Sequence, residues 1–401
     1  MNKIFFLCIL CSLFLILPAC REQTVSPEDN AFFDCQYGFV ESLGSSIVET
    51  PEGYYMFLGN YLVFMDNNMK NPAIVCSKPE CLHNNEPIET AINCDAIFPG
   101  TSHCINYYNG YLYISAEAFT PEYSMCIYKV ALDGSSRKSI YNSQVDLVSF
   151  VVHRGKGYVY TKEYDTESTT PTLIVTEISL DKPSQKKIIF ESNALKDPEI
   201  NYMLAYDKYL YIDMIEFSGY LTHNPRKINL DTGEISDVFN FHTEGFHIGN
   251  NQLYTTVAEG EYSLDVSQKI TFYQCAIDEK QTRQLTEQDF SVVNQLVYLS
   301  QVDDNYVYFK DIDIGNYILP ESERKLHIYK QDGTLAGEVA AGDFAPGYVI
   351  LSGKEKLFIK SQNDATEITY YCVDKSDLKG GTVVAREILR VTPEYYKPIV
   401  Y

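Results

Sequence analysis

The chain has 401 residues, 45% hydrophobic and 21% charged, which excludes a disordered protein and fits a globular body larger than one small domain. With 32 Lys and Arg against 54 Asp and Glu the net charge is −22, and so acidic a surface repels phosphate backbones, excluding nucleic acid as a partner. Tyrosine dominates the aromatics, 33 beside 21 Phe and no Trp, and together with 22 Gly it points to strands and turns.

The first element is the leader MNKIFFLCILCSLFLILPAC. Lys3 supplies a positive start, and Ile4 to Leu17 form an almost unbroken apolar run. That run has the length of a secretory signal and is shorter than the ~20 residues of a membrane-spanning helix. Leu17-Pro18-Ala19-Cys20 resembles the bacterial lipobox, although Pro18 stands where Ser, Thr or Ala is usual. The resemblance implies cleavage before Cys20 and a diacylglycerol on its sulfur, with further acylation such as palmitate. The expected organisation is a signal peptide at 1–19, a lipid-anchored tether at 20–50 and one large domain at 51–401. This places the body on the extracytoplasmic face of the cell membrane, with the membrane as its first partner. The tether is polar and irregular, with Phe32, Phe33 and Tyr37 as the residues able to dock onto the domain behind it.

From there a strand motif recurs: LGNYLVFMD (58–66), YNGYLYISA (108–116), HRGKGYVYT (153–161), YDKYLYIDM (206–214), GNNQLYTTV (249–257), DDNYVYFKD (303–311) and SGKEKLFIK (352–360). The anchors Tyr61, Tyr111, Tyr158, Tyr209, Leu253, Tyr306 and Leu357 lie 44 to 53 residues apart. Several copies are followed by a second hairpin with an acidic turn, at Asp133-Gly134, Asp231-Thr232-Gly233 and Asp332-Gly333. Asp tolerates and Gly accepts the positive φ of tight turns, and period-2 alternation flanks each one. Four strands per repeat make one propeller blade, which needs a neighbour to bury its second face. The predicted fold is all-β: a β-propeller of seven four-stranded blades, with six or eight as the open alternatives.

The segment NGYLYISAEAFTPEYSMCIYKVALDGSSRKSIY (109–141) resembles the blades of Tyr-rich bacterial propellers, broadly like the YWTD propellers of lipoprotein receptors. CSKPECLHNNEPIETAINCDAIF (76–98) resembles an insert of uncharacterised propeller lipoproteins of anaerobic Gram-positive bacteria. The resemblance implies a surface-anchored propeller and no particular activity.

Within that insert Cys76, Cys81, His83 and Cys94 form a set of three thiols and an imidazole, a donor set suited to a structural Zn²⁺. The spacing is not the paired C-x₂-C of a zinc ribbon. Eight cysteines follow Cys20 in the expected mature chain, an even number that suits disulfides in an exported protein. Cys76, Cys81, Cys94 and Cys104 are the disulfide candidates, and buried free thiols are the third reading. No other cofactor is expected.

Asp311-Ile-Asp313-Ile-Gly315-Asn316 has part of a Ca²⁺-loop pattern without its closing Glu, and reads better as an acidic turn. His242 and His247 flank Glu244 without HExxH spacing, and read as a blade-edge loop. No G-x-S-x-G elbow or other nucleophile constellation is present, so no catalytic residue is assigned and no enzyme is expected. The functional expectation is a non-catalytic module binding a protein or glycan ligand. The alternatives are a glycan-active lyase or hydrolase, and an accessory subunit of a membrane transport or signalling complex.

Overall fold

The structure, a computed structural model, describes residues 36–393 except 42–43, 71, 82, 84–92, 101–102, 120–121, 146, 165–170, 193–197, 218–220, 260–268, 280, 294, 296, 312, 315–316, 321–322, 346 and 365–366. The leader, Cys20 and Cys35 lie outside these residues. Seven sheets of at least four strands follow one another along the chain, spanning 47–74, 104–143, 147–192, 198–237, 246–284, 297–340 and 349–391. They are numbered blades 1 to 7. Within each blade the four strands pair antiparallel in sequence order, so each blade is a meander. Among the described residues the helical elements are single 3₁₀ turns, as the strand-and-turn composition predicts.

The blades close a ring because each buries its faces against two neighbours. Seven apolar clusters lie at the seven blade boundaries. One joins Tyr158, Tyr160 and Val175 of blade 3 to Met203, Leu210 and Ile212 of blade 4. Another closes blade 7 onto blade 1 through Leu351, Phe358 and Tyr370 against Tyr54, Met56 and Val63. The recurrent aromatics of the second strands are largely buried here, with Tyr54, Tyr160, Tyr211, Tyr254 and Tyr308 all under 2% exposed. Blade 7 is built only from the C-terminal strands, so the ring closes by packing. One strand breaks the meander: Thr382–Val383 leaves blade 7 and pairs parallel with Leu335–Ala340 at the outer edge of blade 6.

The repeat motif marks the turn between first and second strands in blades 2 to 7. Asn109–Gly110, Arg154–Gly155 and Asn250–Asn251 carry the two successive positive φ angles of a two-residue hairpin. Blade 1 differs. There LGNYLVFMD forms the turn between the second and third strands, Gly53–Leu58 and Tyr61–Asp66, and the equivalent first turn is Thr50–Gly53. Turn chemistry is local, so it does not register which hairpin of a blade it closes.

The described residues between 36 and 49, placed in the tether by composition, lie inside the ring. Ile47–Glu49 is the first strand of blade 1. The strap before it, the turn Tyr37–Phe39 followed by the hairpin Val40–Glu41 with Gly44–Ser45, touches the first strands of blades 2, 3, 4 and 7. It therefore fills the central channel. Tyr37 donates to Asp304 (2.6 Å) and stacks edge-on against Tyr206, both beside turns between first and second strands. Gln301 donates to the Gly38 carbonyl at 3.3 Å. Deeper in, Glu41 pairs with Lys360 at 2.8 Å, a bridge only 14% and 12% exposed. Gln36 and Glu49 exchange hydrogen bonds through the Gln36 amide, returning the strap to the end where it entered.

Candidate metal centre

The insert grows from the outer edge of blade 1, whose fourth strand is the short Ala73–Ile74. Leu62, in the third strand, holds both arms of the insert. Its carbonyl accepts the Val75 N–H at 3.0 Å, and its own N–H donates to the Ala96 carbonyl at 2.8 Å. Cys76 is one residue beyond the first of these bonds, and Cys94 two residues before the second. Asn60 fixes the returning arm by donating to the carbonyls of Phe98 (3.1 Å) and Gly100 (2.8 Å). Gly134, in a blade 2 turn, abuts the outgoing arm: a Cβ there would lie 2.7 Å from the Val75 carbonyl oxygen. Between these arms a turn closed by the Cys81 N–H on the Lys78 carbonyl (3.1 Å) brings Cys81 and His83 back toward Cys76.

The result is the set that the sequence singled out. One ligand atom each from Cys76, Cys81, His83 and Cys94 lie within 4.8 Å of one another. A tetrahedral Zn²⁺ with Zn–S bonds of about 2.3 Å spaces its ligands roughly 3.8 Å apart, a modest contraction of this set. Cys94 is buried, and the other three are half-buried. Backbone N–H groups point at the sulfurs, from Lys78 and Asp95 toward Cys76 and from Ala96 toward Cys94. Burial opposes ionisation of the Cys76 thiol, but hydrogen bonds from His83 and from those two amides outweigh it and bring it down to about 7. Burial, with the Cys81 and Cys76 sulfurs alongside, pushes Cys94 upward. Without a cation, the first charge suppresses the second. His83 Nε2 is buried with no hydrogen-bond partner, and its backbone sits at φ 51°.

Cations surround the cluster. Lys78 binds the Asp95 carboxylate at 3.0 Å, and Ser77 donates to the same group at 2.8 Å, tying the two arms together. Arg137 of blade 2 donates to the Ile97 carbonyl at 2.6 Å and lies over the rings of Phe98 and Phe119. Its positive charge is felt at Cys76 and Cys94.

Cys104 is not part of this set. It lies on the first strand of blade 2, is 2% exposed, and donates its thiol to the Phe150 carbonyl at 3.0 Å. All seven described cysteines carry free thiols, and Cys126, Cys275 and Cys372 are buried within blades 2, 5 and 7. Of the acidic stretch at 311–316, the side chain of Asp311 is described. Asp311 accepts from His327 (3.1 Å) and the Lys325 N–H (2.7 Å), and Asp313 begins a small hairpin; Gly315 and Asn316 lie outside the described residues. His242 is exposed, whereas His247 sits on the first strand of blade 5, not in a loop. Burial holds its imidazole down to about 4, and Nδ1 lies 3.2 Å from Gln301.

Two buried polar groupings had no sequence signal. His223 Nδ1 meets Asp213 at 2.8 Å, and Asn201 donates to the same oxygen at 3.0 Å. Asp303 accepts from Tyr308, Ser352 and Lys375, which ties blade 6 to blade 7. Their partners come together only through strand pairing and blade packing.

The sequence matches no protein-family model and no curated protein. Among solved structures it is similar to puromycin hydrolase, at TM-score 0.51 and 10% identity over 92% of this chain and 56% of that one. It is similar to the tricorn protease at TM-score 0.50 and 8% identity, covering 91% of this chain and 35% of that one. The fold is a β-propeller. The β-propeller domain of the Trilobed protease from Pyrococcus furiosus also aligns, at TM-score 0.45 and 12% identity over 66% of this chain and 79% of that one. At these identities the likeness concerns the fold alone, since one scaffold hosts many activities.

Proposed function

We propose that this protein is a cell-surface lipoprotein whose propeller is a non-catalytic binding module, held with its strand-turn end toward the membrane. The observation that carries this reading is the strap. Gln36–Phe39 enters the channel beside Asp304 and Tyr206, at the end bearing the turns between first and second strands. A lipid on Cys20 would be joined to that end by residues 21–35, which reach at most about 50 Å when fully extended. The opposite end, with the loops between second and third strands, then faces outward. The channel, the deepest concavity a ring offers, is filled by the protein's own Tyr37, Phe39 and Glu41, which favours a ligand on the outer loops. The leader and insert also fit the Tyr-rich propeller lipoproteins that the sequence resembles.

The test has two arms. The full chain partitions with membranes, and Cys20→Ser moves it to the medium. Protein extracted in detergent binds a surface glycan or protein saturably on a panel of both, and leaves it chemically unchanged. Product formation on any glycan replaces the binding reading with an enzymatic one.

A further inference from the structure

We propose that Cys76, Cys81, His83 and Cys94 bind a structural Zn²⁺ that clasps the insert onto the outer edge of blade 1. This goes beyond the binding reading and is independent of it. The donor set decides the class of metal: thiolates with one imidazole select a soft or borderline divalent ion, and hard cations such as Ca²⁺ and Mg²⁺ require oxygens. Four protein ligands complete a tetrahedron and leave no position for substrate, which makes the site structural.

Three further observations support it. The two arms are fixed independently of any metal by hydrogen bonds on Leu62 and Asn60, so Cys76 and Cys94 are held facing each other. Their sulfurs accept backbone N–H groups two residues onward, from Lys78 and Ala96, which offset the charge a bound thiolate retains. The imidazole of His83 offers one ring nitrogen to the same set as the three sulfurs and is already hydrogen-bonded to Cys76, so it faces the position a metal would take. A disulfide serves this set poorly: three sulfurs are odd, and joining two strands the third thiol beside the imidazole.

The clasp has a structural purpose in blade 1. Its fourth strand is two residues long, as in blade 5, against seven in blades 2 and 3. The insert's returning arm pairs with the same third strand, bridging Tyr61 to Ile97. A metal joining the arms would hold this substitute edge, and Tyr61, Cys94, Ala96 and Ile97 pack beneath it as a small apolar cluster.

Binding displaces protons: thiols that coordinate lose theirs to solvent, and no electron is transferred. The full chain, purified under reducing conditions, is expected to carry stoichiometric Zn²⁺ by elemental analysis. Co²⁺ loaded in its place should give the intense visible bands of a tetrahedral ion with thiolate-to-metal charge transfer in the near ultraviolet. Cys81→Ser and His83→Ala should each lower Zn²⁺ affinity by at least about 100-fold, while Cys104→Ser and Cys372→Ser leave it unchanged. Because a variant can fail to fold, the second readout uses the unmodified chain. Hydrogen exchange at the Lys78, Asp95 and Ala96 amides should slow when Zn²⁺ is added to stripped protein. Metal-free protein that refuses Co²⁺, a six-coordinate Co²⁺ spectrum, or a native disulfide within the set overturns the proposal.

Discussion

His223 and Asp213 show how a residue pair becomes a pH dependence. They lie on the third and second strands of blade 4, where Asn201 from the first strand also reaches the Asp213 carboxylate. Glu244, from the segment leading into blade 5, adds negative charge. Burial alone would lower the His223 pKa, but the Asp213 hydrogen bond and charge outweigh it and raise it above 6.5. A raised imidazole contributes stability that is fully present below its unfolded pKa and fades as pH rises through the folded value. His223→Gln should therefore cost about 2 kcal/mol at roughly pH 5.5 and clearly less at roughly pH 8.5, in urea unfolding curves taken at both. A cost that grows with pH would contradict the assignment. Neither residue stood out in the sequence, because a ten-residue separation says nothing until the second and third strands pair. The metal set was legible for the opposite reason: cysteine and histidine are scarce here, and four of them within twenty residues are conspicuous wherever the chain goes. The sequence did not separate Cys104 from the other disulfide candidates, because strand pairing is what carries it into blade 2.

At the scale of elements, hairpins were the legible unit, since Asn-Gly and Asp-Gly turns specify their own φ angles. The strap was not. Gln36–Ser45 is short and without strict alternation, and its place in the channel depends on a ring assembled from residues far down the chain. Gly38 tests that placement, because a Cβ there would lie 2.1 Å from the Ser352 carbonyl oxygen of blade 7. Gly38→Leu should expel the strap while the blades persist. The expected result is an unchanged all-β circular dichroism spectrum with faster hydrogen exchange over residues 36–41. Unaltered protection of those residues would show that the strap does not pack against Ser352.

For the whole molecule, repeat length and four strands per repeat were enough for the architecture, because a blade has one stable way to bury both faces many times over. The offset of blade 1 was hidden because Gly59-Asn60, the turn between its second and third strands, carries the same local signal as the first turns of the other blades. The ring also gives the protein two unlike ends. One receives the strap and, through it, the tether; the other carries the loops between second and third strands. That polarity is the core of the functional account, and it is measured by displaying the full chain on intact cells with an epitope inserted at either end. An epitope in the 118–124 loop should bind antibody freely. One at the Asp231–Gly233 turn, on the membrane side, should bind poorly until the cells are solubilised. Equal binding at both ends, or the reverse order, would contradict the account.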